Sequence, residues 1–286
     1  MNLKLTPLKR FIIRNHSVLS IVFVIVAVIL IHSMFITLNM PMWALFLIDF
    51  TVCFPICVYI ETLGTLMLRK IETYLNNELD LYGTVKAADS FLEILKPNQY
   101  DYIGTAQYIK AVALYDMGET GEAEKLALDF TREAEKRGKA KFQCFEMHGF
   151  LTSIYLRKHD FDEYSKQLGL AESSLKKCKS IYRKLAEKNK LMLTLRRNLK
   201  LYNAEEYDEK FEKWLTDSLV KGPDGKPYKT EPNKLYRASV YSKLFEYFKT
   251  LGIKDRQLEY AEKITEICNE QFKIYRDAKE LLENAN

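Results

Sequence analysis

Residues 111–123 read Ala-Val-Ala-Leu-Tyr-Asp-Met-Gly-Glu-Thr-Gly-Glu-Ala. Gly118-Glu119-Thr120 interrupts two helix-forming runs, which makes the segment a helix-turn-helix. Outward from it, from Arg69 to Asn286, apolar residues recur at helical spacing and turn signals fall at regular distances. The alternation of a half-buried strand is absent. Gly83-Thr84 reads as an earlier turn. Asp160-Phe161-Asp162-Glu163-Tyr164 resembles Asn203-Ala204-Glu205-Glu206-Tyr207. Each begins with an Asx at an expected N-cap, followed three residues later by Glu, the pattern that satisfies two free backbone N–H groups at a helix start. Lys221-Gly222-Pro223-Asp224-Gly225-Lys226-Pro227 cannot continue a helix and reads as a connection. From about Asp255 a last helix is expected, with Leu258, Ala261, Ile264, Cys268, Tyr275, Ala278 and Leu282 on one face.

The N-terminal part differs in kind. Val18 to Leu38 reads VLSIVFVIVAVILIHSMFITL, and such a helix spans roughly 30 Å, the thickness of a hydrocarbon core. No small-residue cleavage site closes it, so it reads as retained rather than as a signal peptide. After Asn39-Met40-Pro41 a second apolar stretch runs from Met42 to about Tyr59, bracketed by Trp43 and Tyr59. The short link implies a tight antiparallel hairpin. Lys4, Lys9, Arg10 and Arg14 precede the first span, Arg69 and Lys70 follow the second, and the link carries no charge. Positive flanks stay on the cytoplasmic side, so both termini are expected inside a cell or inner membrane. His32 and Asp49 fall at equal depth, about 9 Å below the outer interface by helical rise. Buried ionisable groups seek partners, and these two are expected to touch. The domains expected are a basic N-terminus (1–16), a transmembrane hairpin (17–68) and a cytoplasmic helical domain (69–286).

The stretch 111–123 resembles the tetratricopeptide repeat family, in which a small residue precedes the turn glycine and another follows it five positions later, here Ala123. Residues 151–164 look like a second copy, departing from the pattern at His159, where glycine is usual, and at Tyr164, where alanine is usual. A helix containing Ala88 resembles half of another. The marks Ala88, Ala123, Tyr164 and Tyr207 lie further apart along the chain, beginning near the family period of about 34 residues and exceeding it later. The resemblance implies an all-α fold, an α-solenoid of helix-turn-helix repeats behind the membrane hairpin; an irregular helical bundle is the alternative. It further implies that the first helix of each repeat lines a concave groove that receives a peptide or helix. That places Tyr108, Val112, Tyr115 and Asp116 there from one repeat, and Gly149, Ser153, Leu156 and Arg157 from the next. The competing reading puts several of these in the core between repeats.

Reactive chemistry finds no foothold. No H-E-x-x-H, G-x-S-x-G, G-x-G-x-x-G or C-x-x-C occurs. His148 and His159 stand too far apart on their helix to share a metal. The five cysteines are scattered and read as small buried residues of a reducing compartment. A net charge of +5 lacks the strongly basic face of a nucleic-acid binder. Lys184, Lys188, Lys190, Arg196, Arg197 and Lys200 read as a solvated helix surface. With no catalytic residue, metal or cofactor indicated, two readings stand. One is a membrane-tethered interaction module, a scaffold or adaptor for a protein or peptide partner or for its own copy. The other is an accessory or pore-like membrane subunit whose hairpin works and whose helical domain regulates.

Overall fold

The computed structural model describes residues 6–38, 41, 51 and 54–285, without the side chains of residues 32 and 34–38. The fold is all-α. Among the described residues there are thirteen α-helices and no strand. The chain opens with α1 (Pro7–Leu38), kinked at Asn15, where φ is −121° and ψ is 16°. Next come α2 (Phe54–Thr73), a π-turn (Tyr74–Glu78), α3 (Leu81–Leu92), α4 (Tyr100–Met117), α5 (Thr120–Lys136), α6 (Lys141–Arg157) and α7 (Phe161–Lys176). Two short helices, α8 (Ser180–Lys188) and α9 (Leu191–Arg197), lead through a 3-10 turn (Asn198–Leu201) to α10 (Glu209–Asp217). The chain finishes with α11 (Lys234–Leu251), α12 (Lys254–Ile267) and α13 (Lys273–Ala285).

Local chemistry sets the helix ends. After α4, α5, α6 and α11 one residue takes a left-handed conformation: Gly118 (φ 97°), Gly138 (φ 66°), His159 (φ 56°) and Gly252 (φ 69°). In each case the next residue's N–H returns to a carbonyl five positions back: Glu119 to Leu114, Lys139 to Ala134, Asp160 to Tyr155 and Ile253 to Phe248. These bonds satisfy carbonyls that a helix end leaves free. His159 thus occupies a turn position that glycine would favour. Asp160 caps α7, its carboxylate accepting from the Glu163 N–H at 3.0 Å, while Glu163 itself turns to Lys166.

Several expected boundaries shift. Gly83-Thr84 is no turn but lies in the first turn of α3, whose cap Asp80 accepts from the Gly83 N–H at 2.9 Å. A Cβ on Gly83 would stand 2.0 Å from Asp80 Oδ2, so in this geometry the carboxylate lies over the glycine and would have to turn to admit a side chain. Asn203 caps nothing and Tyr207 precedes its helix. Asp208 is the cap of α10, accepting from the Phe211 N–H, and its own N–H donates to the buried Tyr247 hydroxyl at 2.7 Å. The single last helix is two, because Cys268 is extended (φ −84°, ψ 164°) and residues 268–272 turn the chain. The connection near residue 221 is non-helical, pinned by one antiparallel bridge between Lys221 and Pro227.

One core joins the two ends of the helical domain. Leu63, Leu68 and Ile71 of α2 and Phe91 of α3 share it with Tyr247 and Phe248 of α11, Ile264 of α12 and Ala278 of α13. Asn269 Nδ2 donates to the Leu79 carbonyl at 3.0 Å, and Gln271 Oε1 accepts from the Leu81 and Tyr82 N–H groups. The C-terminal helices therefore return to the first ones. A second core, with Ala111, Ala123, Phe130, Met147, Leu151 and Tyr164, holds α4 to α7 together. Helix α2 runs unbroken past residue 68, and residues on both sides of that point are in the first core.

The segment Pro7–Ile31 of α1 is the one described stretch long and apolar enough to cross a membrane, with mean hydropathy 2.2 and 11% of it buried. Val18, Ile21, Ile25 and Ile29 are exposed, unlike the side chains of a core helix. Its N-terminal end does touch the domain. Ile13 is buried, Gln99 Nε2 donates to the Ile13 carbonyl at 3.0 Å, and Lys96 Nζ donates to Asn15 Oδ1 at 2.9 Å. Most of the expected second span, Met42 to Tyr59, lies outside the described residues. So do Asp49 and the side chain of His32, and with them the expected pair.

Candidate functional site

Helices α4 and α6 lie side by side because nothing stands between them at Gly104. A Cβ there would meet Phe130 Cζ at 2.5 Å and Gln143 Cβ at 2.7 Å. This close approach presents the later turns of both helices to the same space. Opposite them stands α11, and the start of α13 closes one side. The cavity between holds about 220 Å³, room for several waters or a small ligand. Val112, Tyr115 and Asp116 enter it from α4, and Phe150, Ser153, Leu156 and Arg157 from α6. From α11 come Leu235, Ala238, Ser239, Ser242, Lys243 and Glu246, spaced to share one helix face. Asn198, Leu201, Tyr202, Phe272, Lys273 and Ile274 complete the lining.

Six of the eight residues expected in a concave groove thus meet in one cavity. Of the other two, Tyr108 does not line it. Its ring lies edge-on to Phe150 with centroids 6.3 Å apart, while Tyr115 meets the same ring at 5.6 Å. Gly149 also lies away from the lining, against Leu195, 3.3 Å from where its Cβ would be.

The charges are organised around Arg157. Its guanidinium lies 3.2 Å from Glu246 Oε1 and 5.2 Å over the Tyr115 ring. Burial works against its charge, but Tyr115, Tyr202 and Glu246 more than offset this, and its pKa is raised. Asp116 belongs to no ion pair among the described residues. Burial pushes its pKa up to about 7, with Arg157 pulling partly the other way. Burial also lowers the pKa of Lys243, on which no carboxylate acts. Burial raises Tyr115, against an opposing pull from Arg157.

Other titratable residues have structural partners. His148 is buried, with Nδ1 2.8 Å from Gln167 Oε1 and Nε2 3.2 Å from Glu135 Oε1, so it ties α6 to α7 and α5. His159 packs edge-on against Phe161 and Tyr202. Burial pushes the thiols of Cys144 and Cys268 up to about 11 and about 12, so both stay protonated and unreactive at neutral pH. No group of three or more His, Cys, Asp or Glu suited to a metal occurs among the described residues.

Sequence reasoning missed the α11 wall, Asn198, Tyr202 and Phe272. A signal was present at α11, where Leu235, Ser239, Ser242 and Glu246 recur at helical spacing with small residues between bulky ones. What the pattern lacked was any indication that this face looks back onto α4 and α6, a return that spans 89 residues of chain between Arg157 and Glu246. No known protein-family profile matches the chain, and no similar curated protein or solved structure was found.

Proposed function

We propose that this chain is a membrane-tethered interaction module, a scaffold or adaptor that brings a protein or peptide partner, or a second copy of itself, to the bilayer. In this reading α1 and the apolar segment after it form a transmembrane hairpin with both termini in the cytoplasm. The helical array, similar to tetratricopeptide repeats at α4–α5 and α6–α7, presents its concave side for recognition. The observation that carries the reading is the convergence of Val112, Tyr115, Asp116, Ser153, Leu156 and Arg157 on one cavity. A rigid, half-apolar recess with a few fixed polar groups is the usual form of a recognition site. Tethering adds effective concentration near membrane partners without a tight site.

A second reading draws on a different contact. Ile13 sits in the domain core and Gln99 binds the Ile13 carbonyl, so the membrane helix is mechanically joined to the loop before α4. An accessory membrane subunit regulated by its helical domain would use such a joint. Alkaline extraction of membranes combined with the cavity-filling change Ser153→Leu separates the two. The module reading expects the protein to stay in the membrane pellet, and Ser153→Leu to abolish partner association while the melting temperature holds within a few degrees. Release by alkali removes the tether. Partner association that survives a filled cavity removes the recognition site and favours the accessory-subunit reading.

A further inference from the structure

Among the described residues, one cation of the cavity wall has no carboxylate to neutralise it. Arg157 is matched by Glu246, and Lys273 Nζ is 2.8 Å from Asp277 Oδ2, on its own helix. Lys243 has no carboxylate within ion-pair distance among the described residues, and burial alone acts on it. Lys243 is half-buried, and a cation partly drawn out of water favours an anion beside it. Asn198, which lines the same cavity, is 6% exposed, and its Oδ1 has no hydrogen-bond partner among the described residues. Enclosed polar groups are nearly always bonded in folded proteins, so an orphan on a cavity wall marks a place where something else bonds. Phe150, Leu156, Leu201 and Phe272 are apolar members of the same wall.

We propose that the cavity binds a small monocarboxylate with an apolar body, its carboxylate at Lys243 and the Asn198 amide and its body against Phe150, Leu156, Leu201 and Phe272. The charge inventory selects a monoanion. Glu246 is already taken by Arg157, which among the described residues leaves the one charge of Lys243 for a single carboxylate. Asn198 takes part through Nδ2, which donates to a carboxylate oxygen once the amide is turned toward it. The volume selects a compact body over a long acyl chain. The inference rests on the α4–α6 face being a recognition surface, but its test needs no partner protein.

Titration calorimetry on the full-length protein in nanodiscs tests it, with 4-phenylbutyrate and octanoate as probes and their neutral amides as controls. At least one acid should bind in a single saturable site, tenfold or more tighter than its amide. An aromatic preference points to a dissolved metabolite and an aliphatic one to a lipid-derived acid. Lys243→Met should erase the preference for acid over amide, leave the amide's affinity unchanged and melt no lower than the native chain, since it removes an unpaired half-buried charge. Ser153→Leu should abolish binding of both forms. Equal affinity for acid and amide, no binding of either acid, or an acid preference that survives Lys243→Met would overturn the proposal. Binding that persists in Ser153→Leu would place the site elsewhere and overturn it too. None of these outcomes bears on partner association, which is measured separately.

Discussion

Asp116 and Arg157 lie on neighbouring helices and line one cavity, yet no salt bridge joins them; Arg157 pairs with Glu246 across the cavity instead. Asp116 is left as a buried carboxyl whose pKa rises from its ordinary 3.8 to about 7. Between those two values the folded chain holds a proton that the unfolded chain has lost. Its contribution to stability is therefore full below about pH 4, declines as pH rises towards 7 and is flat above. Glu146, raised to about 7 mainly by burial and then by Glu72, acts in the same direction. Denaturant midpoints at pH 5 and pH 8 should thus differ, and Asp116→Asn should shrink the difference without removing Glu146's share. An unchanged difference would mean that Asp116 is solvated. At this scale the sequence was informative where residue type and helical spacing agree, as for Tyr115 and Arg157. Tyr108 lies nearly two helical turns from Tyr115 and so shares its face of α4. Both rings meet Phe150 edge-on, but only Tyr115 lines the cavity.

At the level of elements, the four left-handed helix ends and the Gly104 contact do most to fix the shape. They make distinct predictions. Gly252 has open space where a Cβ would be, so Gly252→Ala carries the backbone cost alone, about 1 kcal/mol. Gly118→Ala should cost more, since Lys273 Cδ lies 3.3 Å from the added carbon. Gly104→Ala should cost most, on the order of 3 kcal/mol, because Phe130 and the Gln143 stem must both move. Chemical denaturation ranks the three, and a Gly104→Ala as mild as Gly252→Ala would contradict the α4–α6 packing described. The turn at Gly118 and the cap at Asp160 were legible in the sequence because each is decided within six residues. The start of α10 was not. Asn203 and Asp208 are both adequate caps, and the choice is made by Tyr247, nearly forty residues away, whose hydroxyl takes the Asp208 N–H. The break at 268–272 is likewise set from afar, by the bonds of Asn269 and Gln271 to the start of α3.

For the whole molecule, helix content and the apolar N-terminal segment follow from periodicity and composition, and both are present. Closure is another matter. The resemblance to helical repeats implies an array whose concave side is open, whereas α11 to α13 return to α2, α3 and α4 and leave a cavity of about 220 Å³ facing α4 and α6. Such long-range packing leaves no periodic trace, because the faces that meet are amphipathic either way. If recognition takes place in this cavity on a membrane-tethered chain, the cavity wall touches the ligand in native membranes. The most direct measurement places a diazirine-bearing leucine analogue at Leu235, in the cavity wall, and in a second sample at Leu193, an exposed position outside that wall. Native membranes are irradiated and the protein's intact mass is read. Recognition in the cavity gives a discrete added mass at Leu235, small or protein-sized, that is absent at Leu193 and disappears when Ser153→Leu fills the cavity. No adduct at Leu235 beyond those of solvent and lipid, or the same adduct at both positions, would contradict it.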